Sequence, residues 1–93
     1  MIKSNEYFNG QVKSLALTTK EGPATVGVIL KGEYEFGTDS VEVMQVVYGT
    51  LWAMLPGKSD WVPYHAGASF SVAKGVRFKV KAEEDTGYLC LYR

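Results

Sequence analysis

ATVGVILKGEYEF, residues 24–36, alternates apolar and polar side chains over most of its length. Successive side chains of an extended chain leave opposite faces, so the pattern belongs to strand with one side on a core. One set holds Val26, Val28, Leu30, Tyr34 and Phe36; the other holds Thr25, Ile29, Lys31, Glu33 and Glu35. Gly32 lies between them, where a bulge would exchange the two faces. Strict alternation turns Glu33 and Glu35 away from the apolar face.

Working outward, the same texture recurs. QVKSLALTT (11–19), VEVMQVVYGTLWAML (41–55), ASFSV (68–72), VRFKVKA (76–82) and YLCLY (88–92) are rich in Val, Tyr, Phe, Thr and Leu. Asn9-Gly10, Glu21-Gly22-Pro23, Gly37-Thr38-Asp39, Pro56-Gly57, Ala66-Gly67, Lys74-Gly75 and Thr86-Gly87 separate them and read as turns. No window shows a helical period, and the glycines oppose one. In VRFKVKA, Val76, Phe78, Val80 and Ala82 share one face and Arg77, Lys79 and Lys81 the other. Burying the first set is worth roughly 1.5–3 kcal/mol per large side chain, so that face is inside. These observations predict an all-β fold, an antiparallel β-barrel.

Ninety-three residues hold one hydrophobic core, hence a single domain over 1–93. A chain this short buries only about 60–65% of its unfolded surface, so pairing with a second copy is expected. The apolar fraction of 46%, with six Tyr, four Phe and two Trp, suffices for a packed interior and excludes disorder. Ten basic and ten acidic residues cancel and the lysines are scattered, which argues against a nucleic-acid polymer as partner. Cys90 is the only cysteine, so neither an intramolecular disulfide nor a thiolate zinc site is available. Within YLCLY it reads as a buried structural thiol. The first ten residues, MIKSNEYFNG, lack an apolar signal segment, and no apolar run has membrane-spanning length. A cytoplasmic protein without membrane association is expected.

GEYEFGTDSVEVMQVVYG, residues 32–49, gathers Glu33, Glu35 and Glu42 but has no histidine. His65, in YHAG, is the only one in the chain. One imidazole is meagre for iron, manganese or zinc, so no metal and no other cofactor is expected.

The glycine spacing resembles the two signature motifs of cupins. Gly27 and five residues lead to Glu33-Tyr34-Glu35, followed after six by Glu42 and after six more by Gly49. Gly67 and five residues lead to Ala73-Lys74-Gly75, then Phe78. Cupins place ligand histidines at positions 33, 35 and 78 of this pattern, and all are replaced here. The gap before Glu42 is also longer than usual. Nearly the whole chain resembles the small single-domain cupins of the pyrimidine/purine nucleoside phosphorylase family. The markers are SNEYFNGQVKSL (4–15), ATVGVILKGEYEF (24–36), the segment 44–51, LPGKSDWVPYHAGASFSV (55–72) and YLCLY (88–92). Ala73 departs from the proline common in that family. The resemblance implies a jelly-roll barrel and phosphorolysis of purine and pyrimidine nucleosides to ribose 1-phosphate and free base.

Such a reaction breaks a C1′–nitrogen bond, and by analogy with glycoside cleavage its transition state has oxocarbenium character. Carboxylates would stabilise that charge and accept from ribose hydroxyls, and cations or N–H donors would hold phosphate. Aromatic rings would stack on the base. Through the cupin alignment Glu33 and Glu42 are the candidate catalytic carboxylates, facing the lumen. Glu35 and Phe78 are candidate substrate contacts, and Lys31 and Arg77 the candidate phosphate cations. An inward Glu33 would leave Val28, Leu30, Tyr34 and Phe36 in need of cover, which again points to a homodimer. The alternative is a non-catalytic cupin that binds a small sugar- or nucleotide-like metabolite.

Overall fold

The computed structural model describes residues 1–93. Ten strands follow one another: β1 (Ser4–Tyr7), β2 (Val12–Thr19), β3 (Gly22–Ile29), β4 (Gly32–Gly37), β5 (Glu42–Tyr48), β6 (Thr50–Met54), β7 (Val62–His65), β8 (Ser69–Val72), β9 (Arg77–Ala82) and β10 (Thr86–Tyr92). A 3-10 turn at Phe8–Gly10 is the only helical piece. All ladders are antiparallel and form two sheets, ordered β1-β2-β3-β10-β5-β8 and β4-β9-β6-β7. The fold is cupin-like, but its hydrogen bonding does not run continuously around a barrel. The edge strands β1 and β4 leave one side of the sandwich open, bridged by side chains rather than by a ladder.

Fourteen buried residues fill the space between the sheets, with Val12, Ile29 and Val46 from the larger facing Leu51, Phe78 and Val80 from the smaller. Strand β9 obeys its alternation: Phe78, Val80 and Ala82 are buried, while Arg77 and Lys79 are exposed.

The stretch 24–36 is two strands in different sheets. The chain turns at Leu30–Lys31, where the Lys31 N–H donates to Asp85 Oδ1 at 3.0 Å. The Tyr34 hydroxyl donates back to the Leu30 carbonyl at 2.9 Å, and Gly32 has φ +150°, a value that favours glycine. Inward parity changes across this corner. Thr25, Gly27 and Ile29 face the core from β3, and Tyr34 and Phe36 face it from β4. Val26 and Val28 therefore lie outside, exposed beside Leu15 and Leu17 of β2. Glu33 and Glu35 also lie outside, which corrects the inward aim expected for Glu33 from the cupin spacing. The physical reason is that Tyr34 and Phe36 have the core to fill.

Three other local expectations change. Residues 41–55 divide at Gly49 into strands of different sheets. Thr86-Gly87 lies inside β10, at a register shift against β5, rather than in a turn. Strands β1 and β7 come from SNEY and VPYH, which are short and mostly exposed edge strands without an apolar alternation to reveal them.

Candidate active site

A cavity of about 340 Å³ opens between the sheets at the unpaired edge. Its interior is lined by Ser14, Ile29, Met44, Phe78, Tyr88 and Cys90, all buried. Tyr7, Phe36, Gly37, Asp39 and Ser40, all more exposed, form its rim, and Glu42 and Tyr92 join the lining half-buried. The volume lies at the small end of the range for ligand sites, about 300–1,000 Å³.

One cross-strand row shapes the interior. Ser14, Gly27 and Tyr88 are register neighbours on β2, β3 and β10. A Cβ on Gly27 would sit 2.6 Å from the Tyr88 ring, so the missing side chain is what lets that ring lie across β3. The Tyr88 ring thereby lies towards Ser14, whose hydroxyl oxygen accepts from the Asn5 side-chain amide at 3.4 Å. Burial still pushes the phenol up to about 12, so it stays protonated and able to donate.

The rim loop between β4 and β5 is fastened by buried Thr38. Its hydroxyl donates to the Ala73 carbonyl at 2.7 Å and accepts from the Val76 N–H at 3.1 Å. Its own N–H and C=O bond Val76 and Gly75. The Ala73–Val76 turn thus sets the position of the loop that bears Asp39 and Ser40.

Glu42 begins β5, paired with Tyr92 and Val72. Its carboxylate accepts from the Cys90 thiol at 3.6 Å. Burial raises its pKa above the ordinary carboxylate value, the Cys90 hydrogen bond opposes this, and Asp39 adds to it by like charge. Burial and the nearby Glu42 push the thiol itself up to about 12, so Cys90 is an unreactive neutral donor. Tyr92 is raised too, mainly by burial, and its hydroxyl shares a 3.1 Å hydrogen bond with Thr25.

The sequence-predicted residues divide cleanly. Glu42 and Phe78 line the cavity. Glu33 and Lys31 are exposed outside it, and Glu35 pairs with Arg77 at 3.2 Å on the outer face. Such exposed pairs are worth about 0–1 kcal/mol. Arg77 therefore flanks the rim at Gly37 without entering the cavity. Asp39, Ser40, Tyr7, Phe36 and Ser14 escaped notice as site residues. GTDS reads only as a turn, and SNEYF carries no spacing that aims its tyrosine anywhere.

No side-chain cation lines the cavity. No three His, Cys, Asp or Glu side chains converge to hold a metal ion. His65 lies on the outer face, its Nδ1 2.9 Å from Thr50 Oγ1, beside a shallow cleft with Glu83 and Glu84. The donor set does not fit a cupin metal centre.

A family model described as pyrimidine/purine nucleoside phosphorylase matches residues 2–92. Proteins so named from Pseudomonas putida and Pseudomonas aeruginosa are 54% and 50% identical over 93 residues, all of this chain and 99–100% of theirs. Among solved structures, a Vibrio parahaemolyticus protein of unknown function superposes with TM-score 0.93 at 43% identity, covering 97% of this chain and 96% of that one. An ethanolamine utilization protein Q from Salmonella typhimurium, 15% identical over 99% of this chain and 93% of its own, shares the fold with TM-score 0.75. With a cavity set at the open edge of this cupin-like sandwich and relatives that match end to end, the chain belongs to the pyrimidine/purine nucleoside phosphorylase family.

Proposed function

We propose that the protein is a metal-independent pentosyltransferase that phosphorolyses purine and pyrimidine nucleosides in the cavity beside Glu42. The observation behind the residue assignment is a half-buried carboxylate, Glu42, facing a nucleoside-sized opening with Asp39 and Ser40 at its rim. The activity itself follows from the family, whose named members act on both kinds of nucleoside.

In this reading Asp39 and Ser40 bond ribose hydroxyls and the Glu42 carboxylate stabilises positive charge developing at C1′ and the ring oxygen. A phosphate oxygen forms the new bond to C1′. The pair from the broken bond goes to the base nitrogen, which takes up, through water at the open mouth, the proton that the hydrogen phosphate gives up. With no side-chain cation in the lining, phosphate is held by neutral donors, the hydroxyls of Ser14 and Tyr88 and backbone N–H groups. Lys31, Glu33, Glu35 and Arg77 lie outside these contacts.

The same reading includes a cytoplasmic homodimer. No helix is long and apolar enough to cross a membrane. The outer face of the six-stranded sheet exposes Leu15, Leu17, Val26 and Val28 together, and a second copy is the cover proposed for it.

Incubation with uridine or inosine, with and without phosphate, tests the chemistry. Free base and ribose 1-phosphate should appear only with phosphate and persist with chelator present. Phosphate-independent base release would make the protein a hydrolase, and no release from either nucleoside would reject the proposal.

A further inference from the structure

The three residues that follow cavity-lining Tyr7 have left-handed backbone: Phe8 (φ +53°), Asn9 (φ +56°) and Gly10 (φ +85°). For glycine this is ordinary and for asparagine tolerable, but for phenylalanine it is a conformation that must be held by its surroundings. The holding contacts are aromatic. The Phe8 ring lies 5.0 Å from Tyr34 and 5.4 Å from Phe36, centroid to centroid. Both partners belong to β4, across the open edge from the turn. The strained turn thus ties the end of β1 to the opposite sheet where no ladder does.

The residue placed by this arrangement is Tyr7. It ends β1 in extended conformation, lines the cavity and remains 44% exposed. Its ring meets Phe36 at 6.2 Å and 84°, edge to face. Phe36 lines the same mouth and is only partly buried. Phe78, the aromatic singled out by the cupin spacing, is 3% exposed and packs between Phe36 and Phe70, with no free ring face to offer. An exposed ring anchored at a cavity mouth by a strained turn offers a π-face to a flat ligand without reading its polar edge.

We propose that Tyr7, held by the Phe8 turn and backed by Phe36, is the platform on which the nucleobase stacks, and so sets the base specificity of the site. The proposal rests on the phosphorolysis reading and adds to it a residue that can stack on either kind of base. Glu42 and Asp39 then meet the sugar while the base lies towards the opening. Stacking contact grows with ring area, so the platform favours purine over pyrimidine nucleosides.

Calorimetric titration of the protein with inosine and with uridine, in phosphate-free buffer, tests the platform apart from turnover. Tyr7→Ala should weaken inosine binding about tenfold or more, within the range for loss of one base stack, and uridine binding less. Tyr7→Phe, which keeps the ring, should restore affinity to within about threefold of the parent. With phosphate added, Tyr7→Ala should raise KM for inosine and leave KM for phosphate within about twofold. Equal nucleoside affinity in the parent and Tyr7→Ala, or no nucleoside binding by the parent, would overturn the platform. Parent protein that binds nucleosides with this Tyr7 dependence yet releases no base would keep the platform and reject phosphorolysis.

Discussion

At the scale of single residues, Glu42 is the informative group because its surroundings act against its charge. Burial is the main influence, Asp39 adds like-charge repulsion, and the Cys90 thiol compensates in part. A carboxyl group whose pKa is higher folded than unfolded binds protons more readily in the native state. It therefore favours folding at acid pH, and that advantage is lost as pH rises through the folded-state value. Glu42→Gln, which resembles the protonated form, should melt close to the parent at pH 4 and above it at pH 8, as read by calorimetry. A gap independent of pH would mean that this ionisation is not linked to stability. Turnover should move the other way, with kcat lower by about 100-fold or more if the carboxylate stabilises the transition state. Glu33→Ala, on the outer face, should change kcat by less than about twofold.

At the scale of strands, the site depends on a gap in β3. Gly27 stands between Ser14 and Tyr88 in the ladder and leaves the space that the Tyr88 ring occupies. Gly27→Ala puts a methyl carbon 2.6 Å from that ring, so Tyr88 must leave its place or β3 and β10 must separate. Overpacking of this kind costs about 1–3 kcal/mol, measurable as a lower urea midpoint. The Tyr88 hydroxyl then leaves its place in the cavity lining, and KM for phosphate should rise more than KM for nucleoside. A variant with parent-like stability and phosphate KM would remove Tyr88 from the phosphate contacts.

At the scale of the whole molecule, two sheets share one core but differ in what covers their outer faces. The four-stranded sheet carries charge and cation–π contacts outside, with Lys81 Nζ 4.5 Å from the Trp61 ring centroid and 5.5 Å from that of Trp52. The six-stranded sheet presents a row of aliphatic side chains, Leu15 beside Val26 and Val26 beside Leu89, with Val28 half exposed. Light scattering should report twice the chain mass for the parent. Val26→Glu, on the outer face and away from the cavity, should give a folded monomer at micromolar concentration. A parent that is monomeric at that concentration would reject the dimer. The apolar surface expected to need a partner from residues 24–36 was in part the wrong one. Tyr34 and Phe36 are covered by their own chain, and Val28 is joined instead by Val26 of the same strand.

Much of this architecture is written in local chemistry. Alternation in 76–82 determined which side of β9 is inside, and glycine and proline pairs marked most of the turns. The spacing of Gly27, Glu42 and Phe78 pointed to a cavity lined by the last two. The sequence could not decide where a continuous apolar run is cut into strands of different sheets. At Leu30–Lys31 the cut exchanges inward and outward faces, and a period of two holds no memory across such a corner. That is why Glu33 could be aligned with a ligand position and still point to water. The rim residues Tyr7, Phe36, Asp39 and Ser40 meet only because the edges of two sheets come to one opening. Tyr7 stands 29 positions before Phe36, while Asp39 and Ser40 follow Phe36 closely, and packing alone brings Tyr7 to them.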